Sequence, residues 1–225
     1  MTDCYQPAER QFRITRACLQ VALEARQPIT IITKNALVVR DLDILSEMAA
    51  LRLIGVAISI TTLRSELVAD LEPRTSRPDA RLRALRQLSD AGVPTRVMVA
   101  PIIPGLNDAE IPAVLQAARD AGARSAGYTL LRLPYAVKPI FLEWLQRTQP
   151  THADRIEGLI RSTRDGQLNN SEFGTRFRGQ GQIAEQIRRT FEVFRHKYGL
   201  DAPQSPLDTS QFRPPLPASG QMRLF

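Results

Sequence analysis

The chain has 225 residues, 43% of them hydrophobic, with a formal net charge of +7 and two cysteines. That length carries one sizeable core plus extensions, and the composition excludes a disordered or disulfide-dense chain. No apolar run reaches the roughly 18 residues that span a bilayer, and no basic-then-apolar leader opens the chain, so a cytoplasmic protein without membrane contact is expected.

The elements alternate in chain order. Apolar spacing predicts a helix over 7–26, with Pro7 in its first turn and Phe12, Ile14, Cys18 and Leu19 on its inner face. "ITIIT" (29–33) is a β-branched run of buried-strand type. A helix with an aspartate cap follows over 41–51, then a second strand over 55–60. Residues 78–92 form an amphipathic helix with Leu82, Leu85 and Leu88 on one face and Gly92 ending it. A third strand (95–103), a capped helix (107–122) and a fourth strand (125–133) complete the alternation. Strands alternating with helices imply parallel pairing and right-handed crossovers, hence an α/β barrel or open sheet. No strand is followed by a phosphate-binding glycine signature.

After Pro134 the pattern changes. Helices are predicted over 138–150, 152–164 and 183–199, separated by a Gly/Arg loop, "FGTRFRGQGQ" (173–182). From Asp201 the chain is rich in Pro, Ser and Gln and reads as extended or disordered, with "QMRLF" able to dock as an apolar hook. The expected division is a partial barrel core over 1–134, a helical extension over 135–200 and a Pro-rich tail over 201–225.

In a parallel barrel the chemistry lies past the C-terminal ends of the strands. That places Lys34, Ser59, Thr61 and Arg132 among the candidates, with Arg74 on the loop before the helix at Pro78 and Asp3 and Glu9 in the opening segment. Ser59 and Thr61 alternate with Ile58 and Ile60, which turns both hydroxyls the same way. Lys34 suits either a Schiff base or a cation for a carboxylate, and a plain solvated lysine fits the position too. His152 and His196 fall outside the strand ends, which argues against a His-based triad or zinc site. Cys4 and Cys18 are too few for a four-ligand metal site. The excess of positive charge favours anionic partners, nucleic acid included, although no dense Lys/Arg block appears and a solvated arginine surface gives the same balance.

Taken together, "TDCYQPAER", "ITIITKNALVVRDLDIL", "VAISITTL", "LEPRTSRPDARLRALRQLSDAGVP", "VAPIIPGLND", "SAGYTLLRLP", "FGTRFRG", "LDTSQFRPP" and "QMRLF" resemble, in order and spacing, the radical S-adenosylmethionine (SAM) proteins. They are most similar to the bacterial group related to spore photoproduct lyase, the DNA repair photolyase-like proteins. The resemblance implies a partial (β/α) barrel, a SAM cofactor and a [4Fe–4S] cluster held by C-x-x-x-C-x-x-C, from which a 5′-deoxyadenosyl radical abstracts a substrate hydrogen. That motif is absent from this sequence, and neither cysteine matches it. The likeness begins at the end of the family's second strand, so the expectation is an N-terminally incomplete domain, inactive alone.

The resemblance carries over a SAM-contacting lysine after the third strand and a serine on the fourth, which match Lys34 and Ser59. Thr61 joins them by geometry, and Arg74 follows as a further cofactor contact. Arg132 and Asp3 are candidate substrate contacts; no catalytic residue and no metal ligand is assigned. The reading is therefore the SAM-binding part of a radical SAM enzyme of unknown substrate. A basic nucleic-acid-binding module or a Schiff-base lyase using Lys34 are the alternatives. An uncovered sheet edge beside "ITIIT" is expected to promote self-association.

Overall fold

The computed structural model describes residues 3–203 and 206–214 of the chain. Four strands, β1 (Ile29–Thr33), β2 (Ile54–Ser59), β3 (Thr95–Ile102) and β4 (Ser125–Leu130), form one sheet. Their spatial order follows the sequence, β1-β2-β3-β4, and each neighbouring pair is parallel. The crossovers are helical: α3 (Leu42–Ala50) joins β1 to β2, α4 (Ser65–Leu71) and α5 (Pro78–Asp90) join β2 to β3, and α6 (Ile111–Asp120) joins β3 to β4. The result is an α/β fold of partial-barrel type.

The register explains which side the helices cover. Ile31 pairs with Val56, and Ile58 pairs with Val97. Alternation then sets Ile31, Ile54, Val56, Ile58, Val97, Val99 and Tyr128 on one face, where they are buried with Leu45, Met48, Leu85, Leu88, Val114 and Leu115 of the crossover helices. The opposite face carries Thr30, Ile32, Gly55, Ala57, Ser59, Arg96, Met98 and Gly127. The strands are therefore strongly apolar on one face only. The other is small and polar, and Ile32 is 58% exposed on it. A cavity of about 490 Å³ lies over this face. A Cβ at Gly127 would sit 2.2 Å from Arg96 Nη2, so the glycine leaves the room that the Arg96 side chain occupies over this face.

The opening helix is not continuous. It divides into α1 (Glu9–Phe12) and α2 (Ile14–Glu24) at Arg13, which adopts φ 52°. The buried Glu9 carboxylate accepts from Thr15 N at 3.1 Å and so serves the first turn of α2 from outside. Phe12, Ile14 and Cys18 face solvent rather than the core, while Leu19 is buried. Asp41 stands at the N-cap position of α3 without capping it. Its carboxylate instead takes Tyr5 Oη at 3.1 Å, Arg16 Nη1 at 3.1 Å and Arg40 Nη2 at 2.8 Å. Asn107 likewise does not cap a helix; a short 3₁₀ turn over Asp108–Glu110 intervenes before α6.

The helices beyond β4 complete a second core. α7 (Val137–Thr148) and α8 (Ala153–Ser162) bury Phe141, Trp144, Leu145, Ile156 and Ile160 against Leu67 of α4 and the strand exits Ile103, Leu131 and Leu133. Trp144 Nε1 donates to Asp70 O at 3.1 Å. α9 (Gly181–Lys197) returns to the sheet, with Phe191 tilted against Tyr128 at 4.6 Å between ring centroids. The free edge of β4 is covered: Ala126 N donates to Leu200 O and Leu130 N to Phe177 O.

The described part of the tail is extended but tied down. Asp208 N donates to Arg52 O, Gln211 Nε2 to Leu51 O and Arg213 N to Ala25 O. Asp201 bridges Ser125 at the start of β4, while residues 208–213 meet the turns before β1 and β2, so the described parts of the tail lie at the N-terminal ends of the strands. The "QMRLF" hook lies outside the described residues.

Candidate functional site

The exits of β1 and β2 converge on one buried carboxylate. Lys34, the residue after β1, donates its ammonium to Glu72 Oε1, which also accepts from Thr61 Oγ1 at 2.7 Å. Glu72 Oε2 accepts from Arg81 Nη2 at 2.7 Å. Arg81 is 1% exposed and donates further to Ser59 O at 2.8 Å and Ser76 O at 2.7 Å. Burial alone would raise the Glu72 carboxyl pKa, but the charges of Lys34 and Arg81 outweigh it and hold the group below the usual carboxylate range. Two cations share one anion here. The excess positive charge reaches solvent through Lys34, whose side chain is 30% exposed.

Ser59 is buried, and its register position places it on the face of β2 opposite Ile58. Thr61 is 1% exposed and committed to Glu72 and to Ala100 O at 3.0 Å, so its hydroxyl braces the carboxylate. Asp3 accepts from Thr33 Oγ1 at 2.7 Å and Lys34 N at 2.7 Å, which seats the opening segment on the end of β1. Arg74 is exposed and lines a cleft of about 610 Å³ with Asp3, Asn35 and Thr75. Asn35 Oδ1 accepts from Leu37 N and Ser76 Oγ, which fixes the loop between Lys34 and this cleft.

Arg132 stands elsewhere. It follows β4, at the far edge of the sheet, with its guanidinium over the Phe177 ring at 5.0 Å. Three strand spacings, about 14 Å, separate the β4 exit from the β1 exit. The structure thus groups Lys34, Ser59, Thr61, Asp3 and Arg74 at one side of the strand ends and leaves Arg132 at the other. His196 pairs with Asp201 at the end of α9, and His152 precedes α8, both away from the β1 exit.

Three residues of this neighbourhood escape sequence reasoning. Glu72 looks like one charge among several on an exposed loop. Arg81 lies one turn before Leu85 on the buried stripe of α5, and that position is the signal that marks it. Asn107 closes the β3 exit: its Oδ1 accepts from Ile103 N at 2.7 Å, and its Nδ2 donates to Thr61 O at 2.7 Å and Pro101 O at 3.1 Å.

These features, a half-barrel of parallel strands with charged groups at its C-terminal ends, lie largely within the segment 5–118 that the family model described as Radical SAM superfamily matches. The chain belongs to the radical SAM superfamily. An uncharacterized protein of Mycobacterium tuberculosis is 32% identical over 162 residues, which are 71% of this chain and 48% of that protein. An uncharacterized protein of Methanocaldococcus jannaschii is 33% identical over 110 residues, 49% of this chain and 41% of its own. Among solved structures, a spore photoproduct lyase point mutant superposes with a TM-score of 0.53 at 16% identity, over 85% of this chain and 55% of that one. At that identity the likeness bears on the fold. The chain spans about half the length of the curated relatives it matches.

Radical SAM proteins normally use SAM and a [4Fe–4S] cluster. The donors present do not fit the cluster. The sequence holds two cysteines, both exposed, and among the described residues no three His, Cys, Asp or Glu side chains converge. Desolvation by the surrounding chain, then the Asp3 carboxylate, push the Cys4 thiol up to about 11, against the thiolate that metal binding requires. The cleft lined by Asp3, Asn35, Arg74 and Thr75 has the size of a cofactor site, and Lys34, outside its lining, neighbours it through Asn35 and Asp3.

Proposed function

We propose that this radical SAM chain binds SAM at the exits of β1 and β2, with Lys34, Ser59, Thr61 and Arg74 as the contacting or bracing residues. The observation that carries the reading is the cation pair of Lys34 and Arg81 around the single Glu72 carboxylate, at the strand ends and next to the cleft. An amino-acid carboxylate is the natural partner for that surplus charge. Glu72 and Thr61 fix where the Lys34 ammonium sits, so binding costs little reorganisation. The cluster requires thiolates that this chain does not supply, so no reaction step is assigned to the chain alone, and its substrate is left open. Asp3 holds the mouth of the cleft in place. The Schiff-base alternative is disfavoured because the Lys34 amine is engaged by Glu72 rather than free to attack a carbonyl.

Isothermal titration of the 225-residue chain with SAM tests this. Micromolar binding is expected, weakened at least fivefold in Lys34→Met and Arg74→Gln and less in Ser59→Ala. No binding at millimolar SAM, or affinities unchanged in the first two variants, overturns the site. Anaerobic reconstitution with iron and sulfide is expected to give no stoichiometric cluster on this chain.

A further inference from the structure

The β4 exit holds positive charge that no acid among the described residues answers. Arg164 is 2% exposed, and among the described residues neither it, Arg132 nor Arg176 forms an ion pair. The Nε atoms of all three are buried without a hydrogen-bond partner. Burial, then the nearby Arg132 charge, lower the Arg164 pKa, as expected of like charges packed together. The nearest acid along the loop, Glu172, accepts from Thr175 Oγ1 at 3.0 Å instead. Burying a cation without a counter-ion is expensive, and cations held together without one are more so.

The cluster is also built rather than incidental. Arg164 donates from Nη2 to Leu131 O at 2.7 Å and from Nη1 to Arg176 O at 2.8 Å, so one buried side chain joins the strand exit to the Gly/Arg loop. Leu130 N donates to Phe177 O at 2.8 Å, which docks the loop on the edge of β4. Gly179 adopts φ +71°, which L side chains rarely take, and a Cβ there would press on the Thr163 carbonyl at 3.0 Å. Arg132 and Arg176 both stack on Phe177, at 5.0 and 4.9 Å, and Arg176 also reaches Phe173 at 5.4 Å. Phe173 is 88% exposed, a bare ring beside a guanidinium.

We infer that Arg132 and Arg176, positioned by Arg164, form a binding site for a phosphate ester whose attached ring packs on Phe173. Guanidinium forks match phosphate oxygens two at a time, and an exposed ring next to them suits the base of a nucleotide unit. The loop is already fixed by its backbone contacts, so the anion meets a formed site. The ester is either a free nucleotide or a phosphodiester of single-stranded nucleic acid; the recognising chemistry is the same. The residues differ from those of the SAM site, so either reading can fail alone.

The test is titration of the chain, without SAM, against adenosine monophosphate, adenosine and a fluorescent single-stranded oligonucleotide. Binding of the monophosphate or the oligonucleotide, but not of adenosine, is expected, and which of the two binds tells the source. Arg132→Gln and Arg176→Gln should each weaken binding at least tenfold, while Arg83→Gln, on the exposed face of α5, leaves it unchanged. Phe173→Ala should weaken the preferred ester about threefold. Because Arg164→Gln risks unfolding, the surface variants carry the decision, with melting temperature recorded for each. The ligand should raise the melting point of wild type and not of the two glutamine variants. Absence of ester binding at millimolar concentration, or binding that survives both variants, overturns the inference, as does equal loss in Arg83→Gln.

Discussion

Replacing Glu72 by glutamine keeps the shape and removes the charge that the β1 exit is organised around. The Glu72 side chain is 6% exposed and that of its partner Arg81 1%, so this pair is desolvated. Removing one partner of a buried pair costs about 3–5 kcal/mol. The lower end applies here for two reasons. Arg81 keeps its bonds to Ser59 O, Ser76 O and Thr75 Oγ1, and Lys34, 30% exposed, can turn toward water. A loss of about 3 kcal/mol is therefore expected, which moves a urea midpoint by about 1 M or more. Trp144 is 8% exposed and buried in the second core, so its fluorescence follows the transition. In a cycle with Arg81→Met, the two single losses should fail to add by about 1 kcal/mol or more, because each variant orphans the other's partner. A loss below about 1 kcal/mol, or additive losses, would refute the view that the carboxylate holds these cations in place.

Asn107→Ala removes three hydrogen bonds at the β3 exit and should cost about 2–3 kcal/mol, read from the same urea titration; a near-neutral result would mean that water replaces them. Glu72 and Asp41 both have carboxyl pKa values held below the ordinary range, in each case by cationic partners that outweigh the effect of burial. A depressed carboxyl contributes its full stability above its unfolded pKa of about 4 and loses it as pH falls through the folded value. Urea midpoints should thus be level from about pH 7 to about pH 5 and fall below that, less steeply in Glu72→Gln; identical slopes count against the assignment. The edge strand β1, whose Ile32 is 58% exposed on the open face of the sheet, should drive self-association, so Ile32→Lys is expected to shift light-scattering mass toward monomer, and an unchanged mass would clear that strand.

The alternation of strands and helices was readable because β1 to β3 are rich in Ile, Val and Thr, β4 alternates apolar Ala126, Tyr128 and Leu130, and α3, α5 and α6 carry apolar residues at helical spacing. The helix α4 was not predicted, because seven residues are too few to show a period. The four strands fall where those runs are, with ends displaced by no more than a few residues. Periodicity does not reveal breaks made by distant side chains. The 7–26 helix parts at Arg13 because Glu9 caps the second piece, a contact invisible in spacing. Asp41 and Asn107 sit where caps belong, yet tertiary partners claim their side chains. At the candidate site, the placement of Lys34 and Ser59 at strand ends was legible from the apolar runs that precede them. That of Glu72 was not, because a carboxylate on a loop declares its role only when the fold brings Lys34 and Arg81 to it.

The tail beneath the sheet bears on the order of folding. Arg52 meets Asp208 across 156 residues of sequence, and Glu24 meets Arg213 across 189. Such separations carry the largest loop-closure cost in the chain, whereas each crossover closes over a few tens of residues. Closing costs least once the strand junctions that it joins already stand in their final order, so the strap is expected to dock last and to lock a sheet that has formed.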